Sequence, residues 1–120
     1  MDDASPKPRD LEQRTFLFAQ SVRGFVKSLP RTLANAEDIR QLVRASGSVA
    51  ANWIEANEAL SKKDFLLRTK ICRRESKESR LFFRLIEINE ATSRGRDELA
   101  REARELTLIF SAIISKNDRP

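Results

Sequence analysis

The chain has 120 residues, of which 40% are hydrophobic and 34% charged, with a formal net charge of +5 at pH 7. This length suits one domain that buries a core without disulfides or metals. Three glycines and no tyrosine favour long helices over a turn-rich β fold, and the lack of histidine excludes His-based catalysis and His-containing metal sites. We therefore expect an all-α protein that is not an enzyme and uses no cofactor.

Cysteine usage and hydropathy predict the compartment. The single cysteine, Cys72, has no partner for an intrachain disulfide or a metal site, which fits a reducing cytosol. No apolar run is long enough to span a bilayer, and the polar first residues with two prolines do not resemble a signal peptide. We predict a cytoplasmic protein with no membrane partner.

The first predicted helix follows a polar lead, residues 1–9, which we expect to be disordered. Asp10 is a good N-cap, and Gln13 lies three residues later, as in a capping box. An apolar face continues to Leu29, and Pro30 predicts the end of the helix. The folded domain is therefore expected to begin at residue 10.

The second predicted helix has two packing faces. Asn35 is its expected N-cap, and residues 39–60 continue the helical pattern. One side is an ordinary core stripe that includes Trp53, while the other is a run of small and polar residues that permits close approach of another backbone. Because a helix at the edge of a bundle normally has a charged outer face, we predict that this helix is central in its subunit or faces another subunit.

Cap and turn signals place the remaining two helices. Ser61 and Asp64 fit the [ST]-x-x-[DE] pattern, so helix three is predicted from Lys62 to about Ala91. Gly95 and its polar neighbours predict the following turn, with the acids at 97 and 98 in the first turn of helix four. The four-helix domain is expected to end at residue 115, with residues 116–120 frayed.

Apolar residues outside the core stripes predict self-association. Residues 106–114 are apolar almost all round the helix, and a four-helix bundle of this size cannot bury all of them internally. Two large apolar residues of helix one also lie off its core face. The predicted oligomer interface consists of Phe16, Leu17, Leu108, Ile109 and Ile114.

Helix three concentrates its positive charge on one side. Within an arc of about 120° lie Lys62, Lys63, Lys70, Arg73, Arg74, Lys77, Arg80 and Arg84. A one-sided row leaves positive potential uncompensated, and phosphates spaced along RNA or DNA are a natural match. The alternative is that the row is the solvated face of an amphipathic helix. No zinc-finger spacing or aromatic RNA-binding signature is present, so any binding would depend on shape and charge rather than on base sequence.

Polar residues on the inner sides of helices two and three have two interpretations. One is a carboxylate metal site of Glu55, Glu75 and Glu78, which we disfavour because bundle di-metal sites use Glu-x-x-His pairs and this chain has no histidine. The other, which we favour, is a polar network that fixes helix register. Its predicted members are Ser48, Asn52, Glu55, Arg68 and Glu75.

Several short runs between residues 14 and 114 together resemble one known family. These runs are Arg14-Thr15-Phe16, Phe18-Ala19, Leu29-Pro30, Gln41-Leu42-Val43-Arg44-Ala45-Ser46, Ser48-Val49-Ala50-Ala51-Asn52, Glu55-Ala56, Lys63-Asp64-Phe65, Glu75 and Glu78-Ser79. The sequence resembles the "four helix bundle protein" family. That family includes proteins encoded in 23S rRNA intervening sequences and the accessory variability determinant, Avd, of diversity-generating retroelements.

The resemblance implies an antiparallel up-down four-helix bundle whose subunits form a ring-shaped homopentamer. For the Avd branch it also implies a basic surface that binds RNA or DNA and a partner reverse transcriptase. Two departures limit the transfer of partners: acids make helix four mixed in charge, and Phe82-Phe83 replaces the Trp or Tyr common in the family. We predict a non-enzymatic bundle that self-assembles and binds nucleic acid through helix three, with a protein-interaction scaffold as the alternative.

Overall fold

The computed structural model describes residues 8–118 and confirms the predicted all-α class for that part of the chain. Its elements are the helices α1 (Pro8–Val26), α2 (Leu33–Asn57), α3 (Lys62–Leu85) and α4 (Glu90–Asn117). Consecutive helices pack extensively, α2 on α3 and α3 on α4 most of all, whereas α1 and α4 touch more sparsely. The result is a bundle of 48 × 33 × 20 Å in which α2 and α3 are the central pair.

Helix α1 lies slightly earlier in the chain than predicted. It begins at Pro8, so Asp10 belongs to the first helical turn and is not the N-cap. Proline suits the first turn because its missing N–H would have no intrahelical partner there. The helix ends at Val26, and Leu29 is buried in the connection that follows rather than in the helix. The predicted disordered lead falls mostly on residues 1–7, which lie outside the described residues.

The predicted N-cap of α2 is wrong. Thr32 caps the helix, and its side chain accepts a hydrogen bond from the backbone N–H of Asn35. The Asn35 side chain instead joins two connections: it donates to the carbonyl oxygens of Pro30 and Glu87, both at 2.9 Å, and accepts from the N–H of Glu87 at 2.8 Å. Asn35 is completely buried, so these bonds tie the α1–α2 connection to the α3–α4 connection at one end of the bundle.

The start of α3 agrees with the prediction, but its end does not. Ser61 is the N-cap and accepts from the N–H of Asp64 at 3.0 Å, which confirms the cap. The helix ends at Leu85, because Ile86 adopts extended dihedrals of φ −66° and ψ 141°. The buried side chain of Ile86 packs into the core from this extended connection.

Helix α4 begins before the predicted turn. Asn89 is its N-cap, and reciprocal bonds with Thr92 form a capping box. Gly95 therefore lies inside the helix, and the prediction of a turn there is wrong. A Cβ at Gly95 would lie 3.4 Å from the ring of Phe25, so the glycine sits at a contact between α4 and α1. The helix also continues through Asn117, beyond the predicted end of the domain.

Aromatic side chains form the centre of the core. Phe83 is fully buried, and its ring lies 6.3 Å from that of Phe18 and 5.9 Å from that of Phe25. A second group surrounds Trp53, whose ring lies 5.6 Å from that of Phe110. Edge-on and tilted arrangements of this kind are favourable for aromatic pairs. Because Trp53 also contacts an aromatic ring of α3, the aromatic pairs together link all four helices.

The small-residue face of α2 contacts α3 within the same subunit. Ala45 and Ala56 on this face are buried, and the Cys72 thiol of α3 lies 3.5 Å from the carbonyl oxygen of Val49. Ala51 and Glu55 on the same face are exposed, so α3 covers only part of it. Helix α2 is thus central in its subunit over the covered part of this face, and contact of the exposed part with another subunit stays a prediction. Among the described residues, no helix is long and apolar enough to cross a membrane.

Candidate nucleic-acid interface

All eight predicted phosphate-binding residues lie on α3 and point away from the core. Arg73 is partly buried and the other seven are exposed. Five of them follow one another at alternating spacings of three and four residues, which places them in a line along the helix: Lys70, Arg73, Lys77, Arg80 and Arg84. The line extends for about 21 Å at 1.5 Å per residue.

Carboxylates pair with Lys70 at the start of this line and with Arg74 beside it. Arg74 contacts Glu75 at 3.4 Å and Glu78 at 3.9 Å, and Lys70 lies 3.9 Å from Asp118. These contacts lower the positive potential at the start of the line and on the side that faces α2. The other four cations of the line are not paired with carboxylates. Within residues 8–118, no ion pair to a carboxylate is formed by Arg73, Lys77, Arg80 or Arg84.

The unpaired part of the line borders a groove between α3 and α4. Lys77, Arg80 and Arg84 line it from α3, and Arg104 lines it from α4. The remaining lining residues are Leu81, Thr107 and Leu108, so no carboxylate within residues 8–118 borders this groove. The sequence prediction did not include Arg104.

Helix α4 has two acids on the side that faces α1 and Arg104 on the side that faces α3. This arrangement explains why the sequence did not predict a role for Arg104. From the sequence this helix is mixed in charge, so no single side stands out. In the structure, Glu102 and Glu105 turn toward α1, where Arg14 contacts them at 2.7 and 3.5 Å. The hydrogen bond to Glu102 is the main reason that the pKa of Arg14 is raised. With these acids directed to α1, Arg104 stands on the α3 side without a carboxylate beside it in the groove.

The predicted polar network is wrong as a single cluster, because only three of its five members are joined by hydrogen bonds. Asn52 donates to the hydroxyl of Ser48 at 3.0 Å and accepts from Arg68 at 3.1 Å, which links α2 to α3. Glu75 lies elsewhere on the α2–α3 seam, and Glu55 is exposed, with no hydrogen bond or ion pair to the other four members within residues 8–118.

Glu75 forms its own charged cluster with residues that the prediction did not include. Its Oε2 lies 3.4 Å from both Arg44 of α2 and Arg74, and Arg44 also contacts Glu78 at 3.1 Å. The other carboxylate oxygen, Oε1, is buried without a hydrogen-bond partner among the described residues. Arg44 could not be identified from helical spacing alone, since its pairing depends on how α2 and α3 are aligned.

The predicted oligomer interface is also divided. Phe16, Leu17 and Leu108 are about half exposed and remain available to a partner. Ile109 is partly buried against the core, and Ile114 is 6% exposed, so the prediction is wrong for Ile114. The apolar end of α4 is therefore covered largely within the subunit.

The structure is similar to the crystal structure of a protein of unknown function from the S23 ribosomal protein family of Bacteroides thetaiotaomicron. The two chains are 21% identical, with a TM-score of 0.75 over 90% of this chain and 97% of that chain. At this level of identity the similarity shows a shared helical fold. No family model and no curated protein matches the sequence.

Proposed function

We propose that the protein is a non-enzymatic helical bundle that binds RNA or DNA through the basic face of α3, without preference for base sequence. The observation that carries this proposal is the group of four cations, Arg73, Lys77, Arg80 and Arg84, which lie in line on one helix without ion-pair partners within residues 8–118. Their charge is left for a ligand outside the subunit.

The physical basis is the release of counterions. Duplex DNA carries one negative charge per about 1.7 Å of its axis, so a line of about 21 Å spans several phosphates. If four or five cations contact phosphates, the logarithm of the affinity falls with the logarithm of the salt concentration with a slope near −4. Surface cations that serve only solubility would give weak binding with a much shallower slope.

The test is fluorescence anisotropy of labelled RNA and duplex DNA, titrated with the protein at several salt concentrations. The variant Lys77→Glu with Arg84→Glu should reduce binding at least tenfold, since it reverses two of the four charges of the unpaired line. A matched control is Lys27→Glu with Arg31→Glu, which makes the same change in net charge at exposed positions outside α3. Equal losses in both variants, or no binding by the unaltered protein at low salt, would contradict the proposal.

We also propose a cytoplasmic homo-oligomer, a pentamer by the sequence resemblance, with Phe16 and Leu17 of α1 at its contacts. The support is that these large apolar side chains are about half exposed in the isolated subunit. The resemblance further suggests an accessory role to a reverse transcriptase or an rRNA-associated element, and the neighbour's family name refers to a ribosomal protein. Light scattering that gives the monomer mass across micromolar concentrations would disprove the assembly.

A protein-interaction scaffold is the second candidate, because leucines lie beside the cations. Leu67, Leu81 and Leu85 are each about half exposed on α3. Leucines outside the groove offer phosphates no polar contact, whereas an acidic amphipathic helix of a partner would use both features. Substituting Leu85 by Gln separates the candidates, since Leu85 does not line the α3–α4 groove: nucleic-acid binding should be unchanged, and binding to a protein partner should weaken.

A further inference from the structure

The α3–α4 groove differs from two other grooves that border α3. One of these contains Glu78 among Lys70, Arg73 and Arg74, and another contains Asp64 and Asp118 beside lysines. In both, a carboxylate already balances part of the positive charge. In the α3–α4 groove, three cations of α3 face a fourth from α4, and no acid from the described part of the chain lines it.

Like charges that converge in this way repel one another unless an anion lies between them. The two leucines of the groove, Leu81 and Leu108, are about half exposed and place apolar surface beside the guanidinium groups. Charge interactions are stronger where less water is present, and guanidinium groups bind phosphate oxygens through paired N–H donors. An exposed row on a convex helix has neither feature.

From this geometry we infer that the groove is a phosphate-binding site built by two helices, in which Arg104 of α4 holds the same phosphate as Arg80 and Arg84 of α3. The inference rests on the proposed function and deepens it. It places the ligand backbone along the α3–α4 seam, rather than over the middle of α3, and it assigns a binding role to a residue outside the predicted row. The ligand class is a polyanion with phosphate groups, as in a nucleic-acid strand.

A matched pair of variants tests the role of Arg104. Arg101 lies on the same helix, is also exposed and is absent from the groove lining, so Arg101→Gln removes the same charge without touching the site. In anisotropy titrations with duplex DNA, Arg104→Gln should reduce the magnitude of the salt slope by about 0.9, as expected for the loss of one phosphate contact. Over a fourfold salt change its affinity should then fall about 3.5-fold less than that of the unaltered protein. Arg101→Gln should leave the slope unchanged.

Coupling between residues shows whether they share one phosphate. The double variant Arg80→Gln with Arg104→Gln should weaken binding by less than the product of the two single effects, since either substitution already disrupts the shared contact. Independent effects that multiply would contradict a common site. Equal salt slopes for Arg104→Gln and Arg101→Gln would overturn the inference. The proposed function would stand in that case if Lys77→Glu with Arg84→Glu still weakens binding at least tenfold.

Inorganic polyphosphate distinguishes the two sources of phosphate. It should raise the melting temperature of the unaltered protein and compete with the duplex, and Arg104→Gln should weaken both effects, because a ligand that binds the folded state stabilises it. If polyphosphate binds in this way but duplex DNA and RNA do not, the groove remains a phosphate site and the proposed function is wrong. If no probe binds at low salt, both proposals are wrong.

Discussion

Asn35 gives the sharpest test of the fold, because one buried side chain joins two connections. Its amide group donates to the carbonyl oxygens of Pro30 and Glu87 and accepts from the Glu87 N–H, so all three bonds are lost in Asn35→Ala. Each such bond contributes about 0.5–1.5 kcal/mol, and buried groups left unpaired add to the cost. We expect Asn35→Ala to lower the free energy of unfolding by about 3 kcal/mol and the melting temperature by roughly 12 °C.

The substitution Asn35→Asp tests the direction of the bonds at nearly constant volume. The introduced carboxyl still accepts from the Glu87 N–H, but its second oxygen faces two carbonyl oxygens and has no proton to donate. Its pKa in the folded state should therefore lie above the unfolded value of about 3.9. The folded state then binds more protons than the unfolded state, so stability relative to the unaltered protein falls as pH rises from about 4 toward the raised pKa.

Urea denaturation at about pH 4.5 and pH 7 measures both effects. The matched control is Asn57→Ala, since Asn57 is exposed at the end of α2 and should change stability by less than about 0.5 kcal/mol. The reasoning would be refuted if Asn35→Ala were as stable as Asn57→Ala. It would also be refuted if Asn35→Asp matched the unaltered protein at neutral pH.

Three further predictions concern single side chains. Gly24→Ala should stabilise the protein by about 0.5–1 kcal/mol in urea denaturation, because a Cβ there would meet nothing within 4 Å. Gly47→Ala is its comparison, since that Cβ would lie 3.2 Å from the Arg23 guanidinium, and a smaller gain is expected. Ser61→Ala should lower the free energy of unfolding by about 1 kcal/mol, because the Asp64 N–H loses its acceptor. An unchanged free energy of unfolding would contradict the role of Ser61 as the cap. Burial raises the pKa of Cys72 to about 12, so a thiol reagent applied near pH 8 should label it only after unfolding; rapid labelling of the native protein would show that the core is open there.

Features that depend on residues close together in the sequence were predicted in part. The N-caps of α3 and α4 show both outcomes. Ser61 was found because its partner, Asp64, is three residues away and the pattern is local. The equally local pair Asn89 and Thr92 was missed because Gly95 nearby suggested a turn. Glycine costs only about 1 kcal/mol inside a helix, and the contact with Phe25 gives this one a packing role that no sequence window contains.

Asn35 shows the limit for features that depend on distant residues. Asparagine is a good N-cap, so the local prediction was reasonable, but the true partners of its side chain include Glu87, 52 residues away. Thr32 then supplies the cap instead. The same limit separates Glu75 from the predicted network, because Arg44, 31 residues away, becomes its neighbour only when α2 and α3 are aligned.

The sequence predicts the α3 part of the candidate site but not the α4 part, because the α4 part depends on how the helices pack. The row on α3 follows from helical periodicity alone, whereas the role of Arg104 depends on which helix lies on each side of α4. Arg14 of α1 draws Glu102 and Glu105 to the far side of α4, so the contact that closes the bundle also removes acids from the α3 side. A chain with the same composition but with these acids facing α3 would lose the contacts of Arg14 and would present a neutral groove. The positive groove is thus a consequence of how the bundle closes, and the small net charge of +5 understates the local charge that a ligand would meet.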